Sequence, residues 1–130
     1  MIESALLQLL TGISGLSSSP VSGRVYPGVL PENCAYPAVT FTAISTPVAE
    51  RTSKKTQHTT RRTLFQVDVW SATYLQAGQI AGAIFTAIDG YSGEVAGTPI
   101  KLVEVEDNRP SHDSASEYHR RTLEISMLHP

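Results

Sequence analysis

Cysteine is almost missing from this chain: Cys34 is the only one, so neither an internal disulfide nor a cysteine-cluster metal site can form, and a reducing compartment is expected. Long hydrophobic runs are missing too. No stretch approaches the roughly 20 consecutive apolar residues that span a bilayer as a helix. The longest apolar stretches are broken by Thr, Ser, Gly or Gln, and the chain reads as soluble and without a membrane partner. The opening Met1-Ile2-Glu3-Ser4 places no basic residue ahead of its apolar positions, so neither a secretory signal nor a transit peptide is predicted. Charge is sparse at 17%, but with 41% hydrophobic residues the composition is that of a folded chain. At 130 residues we expect one domain, 1–130, because a second core would leave each half too small to hold together.

What is present is a clear alternation of periods. Ile2, Ala5, Leu6, Leu9, Leu10 and Ile13 recur at three and four, which predicts an amphipathic helix ended by Gly12 and Gly15. A Ser- and Gly-rich connection, 14–23, follows and reads as flexible. Arg24-Val25-Tyr26 predicts a short strand before the Pro27-Gly28 turn. Pro37 to Ser45, rich in β-branched and aromatic residues, predicts a strand, and Arg62 to Ser71 a clearer one, with Phe65, Val67 and Val69 alternating against Gln66, Asp68 and Trp70. Residues 46–61 between them read as a long mobile loop.

A second helix is expected from about Ala72 to Asp89, capped by Ser71 or Thr73, with Leu75, Ala77, Ile80, Ala81, Ile84, Phe85 and Ile88 on one broad apolar face and Gly90 as the stop. Two strands, Pro99 to Glu106 and Glu117 to Leu128, are expected around a polar turn from Asn108 to Ser116. This order suits an α+β fold, an antiparallel sheet of about four to five strands with two helices packed on one face.

Chemistry-bearing constellations are missing. Ser14-Gly15-Leu16-Ser17-Ser18 lacks the second glycine of a nucleophile elbow. Cys34 has no cationic neighbour in sequence to favour a thiolate. His58, His112, His119 and His129 are scattered, and Asp107, His112, Asp113 and Glu117 read as a solvated turn rather than an ion site. No phosphate-binding glycine motif occurs, and Gly78 and Gly82 are read as allowing close packing of the second helix on the sheet. A pocket built from Tyr118, His119, Arg120 and Asp113 is disfavoured because neighbours on a strand point to opposite faces. No catalytic residue, cofactor or metal is therefore predicted, and the chain reads as a non-enzyme.

Residues 50–62 carry Arg51, Lys54, Lys55, Arg61 and Arg62 against Glu50, a local +4 in a chain of formal charge −2, leaving −6 for the remainder. No aromatic residue interleaves there to stack on bases, which argues against single-strand binding. A solvated loop and an acidic neighbouring surface both remain open, and the neighbour most at hand is a second copy of this −6 body.

Several strings in order resemble the small tail-component family of siphophages that includes tail-completion, tail-terminator and tail-to-head joining proteins. They are Val25-Tyr26-Pro27-Gly28 with Pro31, Tyr36-Pro37 leading into Val39-Thr40-Phe41, Phe65 to Trp70 with Thr73-Tyr74 and the small residues Ala77, Ala81 and Ala83, and Tyr118-His119-Arg120-Arg121 before the final strand. The resemblance implies a virion protein forming a homo-oligomeric ring, commonly a hexamer, at the head-proximal end of the tail tube. It implies contacts with the tail tube protein and head–tail connector proteins, and DNA passing through the lumen without specific binding. A head-completion or connector adaptor is the alternative. The candidate subunit-interface residues are Arg51, Lys54, Lys55, Arg61, Arg62, Trp70 and Tyr74.

Overall fold

The computed structural model describes residues 2–13, 24–31, 35–45, 50–51, 59–95, 97–113 and 118–129. Its elements are α1 (Ile2–Thr11), β1 (Val25–Pro27), β2 (Ala38–Ser45), β3 (Glu50–Arg51), β4 (Thr59–Ser71), α2 (Tyr74–Ile88), β5 (Gly93–Val95), β6 (Thr98–Ile100), β7 (Leu102–Asp113) and β8 (Tyr118–His129). The main sheet runs β1-β2-β4-β8-β7, with β3 attached to β4, and β5 and β6 form a separate hairpin.

The α+β class follows from the period-2 strands. Phe65 lies opposite Ile125, Val67 opposite Leu123 and Phe41, and Val69 opposite Val39, so the odd-numbered residues of β2, β4 and β8 make one apolar face. Onto it α2 brings Ala77, Ile80, Ala81, Ile84 and Ile88, and α1 brings Ile2, Ala5, Leu6 and Leu10. Removing each large aliphatic side chain from water contributes about 1.5–3 kcal/mol, so this shared core is the main source of stability. Phe41 and Phe65 meet edge to face at 6.3 Å inside it.

The sheet is mixed rather than antiparallel throughout. β1 runs parallel to β2, with Val25 opposite Val39 and Pro27 opposite Phe41. Residue patterns carry no strand direction. Direction is set by how the chain returns between strands, which residue polarity does not report.

Other boundaries also moved. Glu50 and Arg51 pair with Thr60 and Thr59, so parts of the expected 46–61 loop are paired backbone; 46–49 and 52–58, like the 14–23 connection, lie outside the described residues. The expected strand from Pro99 divides at Lys101 into β6 and β7. The expected 108–116 turn is mostly strand, because β7 continues to Asp113 opposite Tyr118. That part of the hairpin extends past the core, where both faces meet water, so alternation vanishes while the ladder persists.

A bulge between Val105 and Asp107 makes this extension possible. Val103 and Val105 face the core opposite Met127 and Ile125; past the bulge Asp107 and Arg109 lie opposite Glu124 and Thr122 on the outer face. Without the extra residue the next odd positions, both charged, would turn toward the helices.

β7 is an edge strand that offers few free amides. The Val103 N–H donates to Tyr91 O at 2.9 Å, Val105 N–H to Asp89 Oδ1 at 2.9 Å and Asn108 N–H to Asp107 Oδ1 at 2.8 Å, and Pro110 has no N–H. Such an edge resists strand addition. The start of α2 is equally fixed: Thr73 Oγ1 accepts from Gln76 N–H at 3.2 Å, and the Ser71 hydroxyl donates to Gln76 Oε1 at 2.6 Å.

Candidate functional site

The helices cover one face of the sheet, and the even-numbered residues of β4 and β8 form the other. This outer face is a polar network built on Asp68. Thr122 Oγ1 donates to Asp68 Oδ1 at 2.7 Å, Gln66 Nε2 donates to Asp68 Oδ2 at 3.0 Å, and Arg120 Nε lies 3.9 Å from Asp68 Oδ1. Beside it the Trp70 indole N–H donates to Thr40 Oγ1 at 3.1 Å, and the Arg120 guanidinium sits 5.3 Å from the Trp70 ring centre. Arg120 is held further by Ser111 Oγ at 3.1 Å. Next along, Arg109 pairs with Asp107 and, at 3.3 Å, with Glu124; the hydrogen bond to Asp107, then that to Glu124, raises the guanidinium above its usual pKa. These groups satisfy one another, an arrangement that orders a surface rather than activates a nucleophile.

The candidate interface residues divide between the two ends of β4. Arg61 and Arg62 lie opposite His129 and Leu128, and Arg51 lies opposite Thr59 on β3. Arg62 is paired with Glu106 at 3.3 Å, with both side chains well exposed. Lys54 and Lys55 lie outside the described residues. Trp70 lies opposite Ala38 and Arg120 at the far end, eight residues from Arg62. At about 3.3 Å per residue that is roughly 26 Å, so the basic group and Trp70 cannot serve one small contact.

Tyr118, His119 and Arg120 part company as strand alternation requires. Tyr118 stacks on Tyr36 at 3.9 Å, Arg120 lies over Trp70, and His119 meets Tyr74 edge-on at 6.0 Å. Three consecutive residues thus serve three separate contacts. Among the described residues no group of three His, Cys, Asp or Glu side chains is placed to hold a metal ion.

A groove of about 520 Å³ opens between α1, α2 and β5, walled by Leu9, Ile13, Ile88, Tyr91 and Val95. Among the described residues Gln8 and Tyr91 are its only side-chain polar groups, too few to orient a polar substrate.

Two expectations for α2 are corrected. Leu75 and Phe85 are exposed rather than in the core, because Ala77, Ile80, Ala81, Ile84 and Ile88 already complete the inward stripe. Gly78 and Gly82 do not pack on the sheet: a Cβ at either would meet nothing within 4 Å. Sequence reasoning therefore missed an exposed, uncharged helix face. Its signal was the lack of any Asp, Glu, Lys or Arg from Ala72 to Ile88, on a helix whose outer side meets water.

The family model described as "Tail completion protein gp17" matches residues 4–129. Among solved structures, a chain of the "Virion of native gene transfer agent (GTA) particle" superposes at TM-score 0.74 with 15% identity, over 98% of this chain and 93% of its own. A second solved chain superposes at TM-score 0.68 with 13% identity, over 99% and 93% respectively. These likenesses show a common fold. No curated protein sequence matches the chain.

Proposed function

Because this chain belongs to the tail completion protein gp17 family and so is a structural component of a phage tail, we propose that it is a terminator or completion subunit. Copies form a ring at the head-proximal end of the tail tube, stop its growth and present a surface to the head connector. The observation that carries this reading is the family match over nearly the whole chain, from residue 4 to residue 129. The solved relative in fold, which sits in an assembled virion particle, supports it.

On this reading the protein does no chemistry and works by contact. The outer face of the sheet is ordered by the Asp68 and Arg109 networks, and such a preset surface loses little entropy on docking. Arg51, Lys54, Lys55, Arg61 and Arg62 meet acidic surface on a neighbouring copy or on the tube. Arg62 is free to exchange partners, since an exposed pair such as Arg62–Glu106 is worth only about 0–1 kcal/mol. DNA crosses the ring without being read.

The test is loss of the gene product followed by microscopy of the particles. Overlong or unjoined tails are expected. Normal tails beside heads that fail to retain DNA would reassign the protein to the head side of the junction. A charge-reversed Lys54→Glu, Lys55→Glu variant is expected to assemble poorly at low salt, whereas unchanged assembly would remove the basic segment from the contact.

A further inference from the structure

Arg109 and Arg120 are neighbours on the outer face of the sheet. Arg109 lies opposite Thr122 across the β7–β8 ladder, and Arg120, two residues before Thr122 on β8, points to the same side. Paired guanidiniums on an exposed face are a common means of holding phosphate, because the fork of each matches two phosphate oxygens.

In this subunit both forks are already filled. Arg109 donates from Nη1 to Asp107 and from Nη2 to Glu124 Oε1 at 3.3 Å. Arg120 donates from Nε to Ser111 Oγ at 3.1 Å, lies 3.9 Å from Asp68 Oδ1 and rests over the Trp70 ring. Local structure builds this filling. The bulge after Val105 turns Asp107 outward, opposite Glu124 and on the same face as Arg109.

The surrounding charge acts in the same sense. Among the described residues the outer face carries Asp68, Glu104, Glu106, Asp107 and Glu124 against Arg62, Arg109 and Arg120, five negative groups to three positive. An exposed ion pair is weak by itself, so the strength of the pairs is not what keeps a phosphate out. The displaced carboxylates cannot leave, since they are fixed to the same two strands. A phosphate at Arg109 would meet two of them at contact range, and like charges brought together there oppose binding.

We infer that Asp107 and Glu124, with Asp68 beside them, guard a latent phosphate clamp: they keep Arg109 and Arg120 from the DNA backbone, so that this face lies beside DNA without retaining it. The inference rests on the reading above in which DNA crosses the assembly without being read, and it assigns that property to named side chains. It is a property of each subunit and needs no ring.

The experiment measures binding of a short double-stranded DNA to the full-length subunit by fluorescence anisotropy at about 50 and about 200 mM salt. Asp107→Asn with Glu124→Gln frees Arg109 by changing side chains that are 45% and 37% exposed, so the melting temperature should move little. This variant should bind more tightly than the unaltered chain at the lower salt. Its affinity should also fall about threefold more between the two salts, as one added phosphate contact requires. Adding Arg109→Ala should return both readings to those of the unaltered chain. Glu3→Gln with Glu94→Gln removes the same two charges from α1 and β5, which pack together on the helix side of the sheet, and should leave the salt dependence unchanged.

No gain from Asp107→Asn with Glu124→Gln would overturn the inference, as would a gain that survives Arg109→Ala. An equal gain from the Glu3 and Glu94 variant would reduce the effect to net charge and overturn it too. Arg109→Ala in the otherwise unaltered chain supplies a test that does not depend on the double variant folding: unchanged DNA binding is expected, and weaker binding would show the clamp to be open. All these readings are made on the subunit alone. Bare tube ends in microscopy would remove the ring and leave them standing, whereas their failure would leave the ring untouched.

Discussion

Replacing Gly78 and Gly82 by alanine should stabilise the subunit. Both lie inside α2 with ordinary helical backbone, neither being among the positive-φ glycines, and an added Cβ would meet nothing within 4 Å. In an exposed helix interior alanine is better than glycine by about 0.8–1.0 kcal/mol, because the unfolded chain loses freedom and nothing is crowded. The double variant should gain about 1–2 kcal/mol, raising the melting temperature of the isolated subunit by roughly 4–8 °C for a domain of this size. The shift is read by circular dichroism against temperature. A lower melting temperature would show that the glycines are packed within the subunit, and the reasoning would fail.

Thr122→Val removes the buried hydroxyl that donates to Asp68 Oδ1 and should cost about 1–3 kcal/mol in urea unfolding; a cost near zero would mean that the Asp68 network does not order the outer face. Arg62→Ala should change subunit stability by less than about 1 kcal/mol, since its partner Glu106 is also exposed. Deleting Glu106 removes the bulge yet leaves Asp107 opposite Glu124, so the protein should still unfold cooperatively. Deleting Asn108 moves Arg109 opposite Leu123, on the core face, and should abolish cooperative unfolding. If both deletions behave alike, the register argument is mistaken.

The sequence made the core legible because its periods are clean. Phe65, Val67 and Val69 on β4 and Leu123, Ile125 and Met127 on β8 face the helices as alternation predicts. It was silent where packing does not act. The parallel entry of β1, the division of the expected strand at Lys101 and the strand character of Asn108 to Asp113 depend on turns and ladder bonds, which leave little mark on polarity. Leu75 and Phe85 were misplaced because hydrophobicity marks a residue as apolar without saying whether the inward stripe of its helix is already complete. Of the proposed contact residues, Trp70 and Arg62 were correctly placed on one strand, but at ends too distant to share a partner patch.

The central claim is that this chain ends a tail tube by forming a ring on it. The direct measurement is electron microscopy of tail tube protein polymerised with and without this subunit. A ring at one end of each tube and a narrow distribution of tube lengths are predicted, with uncapped and longer tubes in its absence. Tubes of the same length and bare at both ends in either case would contradict the account.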